Sequence, residues 1–202
     1  MAIIGIIGFI GSGKGTVGGL FVDKGFHKDS FAAPLKDACS VIFGWPRELL
    51  EGDTELSRKW REEPDAFWSE RFSKPFSPRL ALQLMGTEAG RNVFHSDIWV
   101  VSLLNRAKGR DIVVTDVRFK NEVKHIQDNG GIIIRVKRGE DPVWFNDFVN
   151  YNQHPTMYSP PNVDIHTSET DWIGCWHDYL IENNGTLAEL GNKVDDVLKC
   201  IK

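Results

Sequence analysis

"GIIGFIGSGKGTVGGL", residues 5–20, is the stretch on which the fold turns. It overlaps "AIIGIIG", residues 2–8, a short apolar run ending in glycine that suits a central parallel strand buried on both faces. Gly8, Gly11 and Gly13 follow, then Lys14, which nearly spells the pattern G-x-x-x-x-G-K-[ST]. Glycines there let the backbone wrap tightly and turn several N–H groups inward. A helix expected from about 14 to 24 aims its positive dipole end at the same point. A strand before, a helix after and a lysine within reach of phosphate oxygens together make a phosphate cradle. The competing reading is a glycine-rich strand-to-helix turn without ligand. One position departs from the strict pattern: Gly15 stands where Ser or Thr is usual, and the hydroxyl arrives one place later at Thr16.

Outward from the loop, strands alternate with helices. "FHKDSF" (26–31) reads as a second short strand, and "APLKDACSVIF" as a helix with Pro34 near its start. Between Gly44 and Pro78 the chain turns polar and aromatic. A helix opened by Thr54, a second with Ser77 as cap and Pro78 at its first position, and a third capped by Ser96 are expected. A buried strand at 111–116 precedes the helix "KNEVKHIQDNGG", and 132–138 is the next strand. Residues 139–176 hold no strong period, and a stretch that long inside a compact domain is usually functional, lids being a common case. The chain closes on a strand, a turn at Asn183-Asn184-Gly185 and an amphipathic helix. Such alternation predicts an α/β fold, a parallel sheet with helices on both faces and ligands at the carboxyl ends of its strands. One domain over 1–202 is expected, with a helical insertion at 44–108 and a lid-like segment at 139–176.

Composition narrows the function. With 202 residues, 41% hydrophobic and 26% charged, the chain can bury a real core. A net charge of −4 without a basic face argues against a nucleic acid polymer as partner. Cys39, Cys175 and Cys200 have neither disulfide nor zinc spacing. No apolar run reaches the ~18 residues that a membrane helix requires, so a cytoplasmic protein with no membrane partner is expected. The six histidines lack ligand spacing, and no G-x-S-x-G elbow is present. "NKVD" (192–195) imitates a guanine-reading motif but falls inside an amphipathic helix, where it reads as solvated surface.

"VVTDVRFKNE" is the second constellation. Asp116 at a strand end can bind Mg²⁺ through water or orient a substrate group. Arg118 lies on the same rim, and Glu122, four residues on, is placed to hold its guanidinium. The plainer alternative is a helix-capping Asp with a surface Arg–Glu pair. Transfer to a phosphate acceptor needs no general base, because the acceptor is already largely ionised with a second pKa of ~6. What it needs is cations that bring two anions into line. Lys14, Lys36, Arg79, Arg91, Arg118, Arg135 and Arg138 are the candidates. Strand alternation favours Arg138 over Arg135.

"GFIGSGKGT" resembles the loop variant of nucleoside monophosphate kinases. "FAAPLKDA", "LQLMGTEAGRNVF…DIWV", "VVTDVRFKNEV", "GGIIIRVKR", "HTSE" and "ENNGTLAEL" follow it in order. Together they resemble the deoxynucleoside monophosphate kinases of tailed bacteriophages across most of the chain; residues 44–76 and 140–163 match poorly. The resemblance implies a P-loop NTPase fold of nucleoside monophosphate kinase type. Its five-stranded parallel sheet would be flanked by helices and carry substrate-binding and lid insertions. It implies transfer of the ATP γ-phosphate to dNMPs, in a host's cytoplasm for a phage-encoded chain, with a homodimer allowed.

Residue by residue, it places Gly11, Ser12, Gly13, Lys14, Gly15, Thr16, Asn183 and Asn184 at ATP. Leu35, Lys36, Arg79, Gly86, Thr87, Arg91, Trp99, Asp116, Arg118 and Glu122 fall at the dNMP. Lys14, Asp116, Arg118 and Glu122 would act in catalysis, joined by Arg138 from the strand alternation above, and Thr16 and Asp116 would meet Mg²⁺ through water. His166, Ser168 and Glu169 would lie in the lid. Trp99 also reads as core packing, Thr87 as a local cap and Ser168 as a helix start. Gly15 departs from the Asp more usual in that family. Another small-molecule P-loop kinase, such as a dephospho-coenzyme A kinase, and a non-catalytic nucleotide-binding protein are the competing readings.

Overall fold

The apolar run at the start of the chain forms β1 (Ile3–Ile7), buried at every residue. In the computed structural model, which describes residues 2–201, this strand is the centre of a five-stranded sheet. β2 (His27–Asp29), β3 (Ile112–Val114), β4 (Ile132–Lys137) and β5 (Tyr179–Glu182) complete it. Their order is β2-β3-β1-β4-β5, and every neighbouring pair is parallel. A strand flanked by two others and covered on both faces needs side chains that are apolar throughout, as β1 and β3 have. The five-stranded parallel sheet is the one expected. β3 is shorter than the expected 111–116, so Thr115 and Asp116 lie beyond its end.

Helices cover the sheet. α1 (Lys14–Val22) and α10 (Leu187–Cys200) pack Val17, Phe21, Leu190, Val194, Val197 and Leu198 onto Ile4, Ile6, Val113, Ile134, Val136 and Ile181. Each fully buried side chain of this kind contributes about 1.5–3 kcal/mol. Thr186 and Glu189 cap the start of α10 reciprocally. Leu187 is exposed, and "NKVD" lies within α10 as expected. On the opposite face α7 (Lys120–Asp128) comes so close that a Cβ on Gly5 would stand 2.7 Å from the Ile126 side chain.

Residues Phe31–Arg106 form one compact unit, and Met1–Ser30 with Ala107–Lys202 form the other, which holds the sheet. The first unit is helical: α2 (Ala33–Phe43), a 3₁₀ turn (Arg47–Leu50), α3 (Glu55–Glu62), α4 (Ala66–Phe72), α5 (Pro78–Gln83), a π-helical stretch (Leu84–Phe94) and α6 (Ile98–Ala107). Thr54 and Ser77 cap α3 and α5 as expected. Before α6 the cap position falls on Asp97 rather than Ser96, since the Asp97 carbonyl accepts the first helical bond, from Val101 N–H. Leu35, Cys39, Trp45, Leu50, Phe76 and Ala81 make this unit's core.

The segment 139–176 contains α8 (Phe145–Gln153), which its aperiodic sequence does not announce, and the short α9 (Thr167–Thr170), which begins one residue before the helix start read at Ser168. Asn152 donates to the carbonyls of Thr170 and Ile173, tying the two together.

Candidate active site

β1 runs into the phosphate loop and α1 without a break. Gly8 at φ +144° and Gly13 at φ +100° take conformations that L side chains rarely adopt, and a Cβ at either would strike a neighbour. At Gly8 that neighbour is the Val136 carbonyl, and at Gly13 it is the Asn183 amide. Lys14 Nζ curls back to donate to the Gly8 and Phe9 carbonyls at 2.7 and 2.8 Å. Ser12 is buried, and its hydroxyl has no hydrogen-bond partner among the described residues. A buried hydroxyl without a partner in a glycine-rich loop at a helix start is suited to an incoming acceptor such as a phosphate oxygen. Thr16 and Gly15 are exposed on the first turn of α1, and open space lies off the Gly15 Cα.

Beyond the end of β3, Asp116 accepts a hydrogen bond from the Ser30 hydroxyl at 2.8 Å. Arg118 and Glu122 are arranged differently from the sequence expectation. Glu122 is buried and accepts the backbone N–H groups of Arg118 (2.6 Å) and Phe119 (3.0 Å), so it shapes the turn into α7. A carboxylate at the third position of a helix turns back to the amides at its start, which are otherwise without partners. The Arg118 guanidinium pairs instead with Glu169 of α9 at 2.5 Å. Glu169, from the segment 139–176, therefore reaches Arg118. His166 and Ser168 bond each other and start α9, the plainer of their two readings.

Charge binds this group together. Lys14 is lowered from its ordinary 10.5 to about 8, first by burial and second by the Arg118 guanidinium, with Glu169 and Asp116 opposing. Lys14, Asp116, Arg118 and Glu169 thus share one field.

Asn183 donates to the Ser12 carbonyl at 2.9 Å, and Asn184 accepts from the Gly139 N–H at 2.7 Å. Both brace the loop and the end of β4. Arg138 is exposed past the end of β4, and among the described residues no hydrogen bond or ion pair joins it to the Lys14 group. Arg135, ranked below it from strand alternation, is enclosed: it pairs with Asp141, and its guanidinium lies 4.5 Å above the Phe145 ring.

In the helical unit, Lys36 Nζ pairs with Glu51 at 2.6 Å. Arg79 Nε lies 3.9 Å from Glu62, and Arg91 donates to the Ser96 carbonyl at 2.9 Å. Trp99 donates to the Gly86 carbonyl at 2.7 Å and packs against the helical core, in keeping with its packing reading. Gly86 meets Leu35, and Thr87 lies half-buried on the π-helical stretch. A π-helical turn is rare and recurs at functional sites.

Ser30, Phe9 and the rings around Phe9 were not singled out from sequence. The signal for Ser30 is topological, since only the β2-β3 pairing sets it beside Asp116. For Phe9 it is a bulky aromatic inside a phosphate loop.

Among the described residues no helix is long and apolar enough to cross a membrane. Cys39, Cys175 and Cys200 are free, and burial pushes the Cys39 and Cys175 thiols up to about 11.

No protein-family model matches the chain. Among solved structures, the dephospho-CoA kinase of Campylobacter jejuni shares 14% identity over 98% of this chain and 96% of its own, with a TM-score of 0.46. A shikimate kinase of Bacteroides thetaiotaomicron shares 13% over 99% and 98%, at 0.45; likeness of that size carries no argument about activity. Sequence relatives are nearer. A protein of Escherichia phage T5 named deoxynucleoside-5'-monophosphate kinase is 29% identical over 59% of this chain and 69% of its own length. One of Acanthamoeba polyphaga mimivirus, named as a deoxynucleotide monophosphate kinase, is 34% identical over 96% of this chain and 94% of its own. With that near full-length relative and a phosphate loop set in a five-stranded parallel sheet, the chain belongs to the deoxynucleoside monophosphate kinase family.

Proposed function

We propose that the protein transfers the γ-phosphate of ATP to a deoxynucleoside monophosphate, giving the diphosphate. One observation carries this reading: the phosphate loop follows β1 and a second cation, Arg118, follows the parallel neighbour β3, so both lie at the same edge of the sheet. Two anions that must meet in line need one cation each and a rigid frame between them. Lys14 would leave its loop carbonyls for the β- and γ-phosphates. Inward amides and the Ser12 hydroxyl would take the remaining oxygens. Arg118 would exchange Glu169 for the acceptor phosphate, oriented by the Glu122 clamp on its backbone. Developing charge on the transferred group would then face fixed donors and little water, where each is worth most.

Mg²⁺ fits this donor set as a companion of the nucleotide. Among the described residues no three His, Cys, Asp or Glu are grouped to hold a metal. A magnesium site built largely of phosphate oxygens and water needs only a carboxylate and a hydroxyl from the chain, and Asp116 and Thr16 are those groups. When bound, the ion would neutralise phosphate charge. Acceptor roles for Leu35, Lys36, Arg79, Gly86, Thr87, Arg91 and Trp99 rest on the family resemblance. So do a cytoplasmic setting, the lid role of 139–176 and a homodimer.

A coupled assay of ADP release with dGMP, dTMP, dCMP and dAMP, against dephospho-coenzyme A as control, tests the proposal. ADP should appear only with at least one dNMP. Release with the control acceptor alone, or with no acceptor, contradicts it.

A further inference from the structure

We infer that Arg135 is a positioning residue, setting the phosphate loop through a ring collar around Phe9. Arg135 lies beside Ile7 in the β1–β4 register, two residues before Phe9. Its side chain is 11% exposed. The guanidinium pairs with Asp141 and lies 4.5 Å over Phe145 and 5.7 Å from Trp172. Those two rings, with Trp144, surround Phe9 edge-on at centroid distances of 6.0, 5.0 and 5.7 Å. The Phe9 carbonyl in turn accepts from Lys14. A contact path therefore runs from Arg135 through two rings to the loop residue that holds the lysine.

Stability alone does not explain an arginine here. Its Nε is buried with no hydrogen-bond partner among the described residues. Burying a charge that is incompletely bonded is costly, and an apolar side chain of similar volume commonly serves stability as well or better. What Arg adds is a rigid plane that stacks on ring faces while its edge is fixed by a carboxylate. Methionine would fill the space without orienting the rings. Lysine would keep the charge without the plane.

This inference rests on the kinase reading above, and the wild-type enzyme separates the two: absence of transfer there fails that reading and not this one. With wild-type transfer established, kcat per folded molecule is measured for Arg135→Met, Arg135→Lys, Phe9→Ala and the double variant Phe9→Ala/Arg135→Met, with folding followed by circular dichroism. Arg135→Met should keep its melting temperature yet lose roughly 10- to 100-fold in kcat, the scale of a misplaced reacting group. Arg135→Lys should fall between it and wild type. The double variant should be no worse than Phe9→Ala alone, because both act through one contact path. Full kcat in folded Arg135→Met, or in Arg135→Lys should the former not fold, overturns the inference. So do losses that multiply independently in the double variant.

Discussion

Two regions meet around Lys14, and they are organised by different means. The phosphate loop is local: strand, glycines, lysine and helix lie within twenty residues, and the backbone alone builds the cradle. The segment 139–176 is the opposite. No local period announces it, and it is held by distant partners: Glu169 on Arg118, Asp171 on the Lys120 amide, and Trp144, Phe145 and Trp172 on Phe9. The loop is thus set by consecutive residues, and the segment by contacts with residues far from it in sequence. Arg118 lies outside both, its backbone clamped by Glu122 of α7 while its guanidinium is held by Glu169 of the segment.

The sharpest break of this contrast is Lys14→Ala. Removing a donor aimed at developing phosphoryl charge should lower kcat by about 10³-fold. A folded variant with near-wild-type turnover in the coupled assay excludes that role. Arg118→Ala should come next, with transfer falling by about 10³-fold, the lower end for an arginine acting on phosphoryl charge. ATP affinity, measured by calorimetry, should change far less. Equal losses of both would put Arg118 on the loop side of the comparison.

How legible these regions were follows the same division. The sheet, α1, α7 and α10 could be read because apolar runs, glycines and a helical stripe are written in consecutive residues. Glu122 could be chosen by spacing, but its partner could not: four residues of separation serve a guanidinium or the turn's own amides, and only the path of the backbone decides. Arg135 was set below Arg138 by strand alternation, which says which face a side chain takes and not what covers that face. Phe145 and Trp172 cover it, from a segment whose helices have no sequence period. Burial of Glu122 and the Ser30–Asp116 bond likewise depend on strand and helix neighbours far apart in the chain.

Smaller effects sharpen the contrast further. Glu169→Gln removes one charge from a pair that is partly solvent-exposed. Such pairs are worth up to about 1 kcal/mol, so KM for the acceptor should fall by up to about fivefold while KM for ATP holds. An unchanged acceptor KM would mean that Glu169 does not compete for Arg118. The pH response is subtler. Because burial and Arg118 lower Lys14 to about 8, a bound triphosphate should raise it again. Nucleotide binding should then take up protons just above pH 8, read as a buffer-dependent heat in calorimetry, and no such dependence would contradict the assignment. The stability sign is fixed as well. Folding lowers this pKa, so between about 8 and 10.5 the unfolded chain binds more protons, and the group's contribution to stability rises with pH there.

The most direct test of two cations for two anions is a pair of dissociation constants, for a non-hydrolysable ATP analogue and for a dNMP, in Lys14→Ala and Arg118→Ala side by side. The two variants should cross over: Lys14→Ala weakens the ATP analogue and spares the dNMP, and Arg118→Ala does the reverse. Loss of the same ligand in both variants would contradict the account.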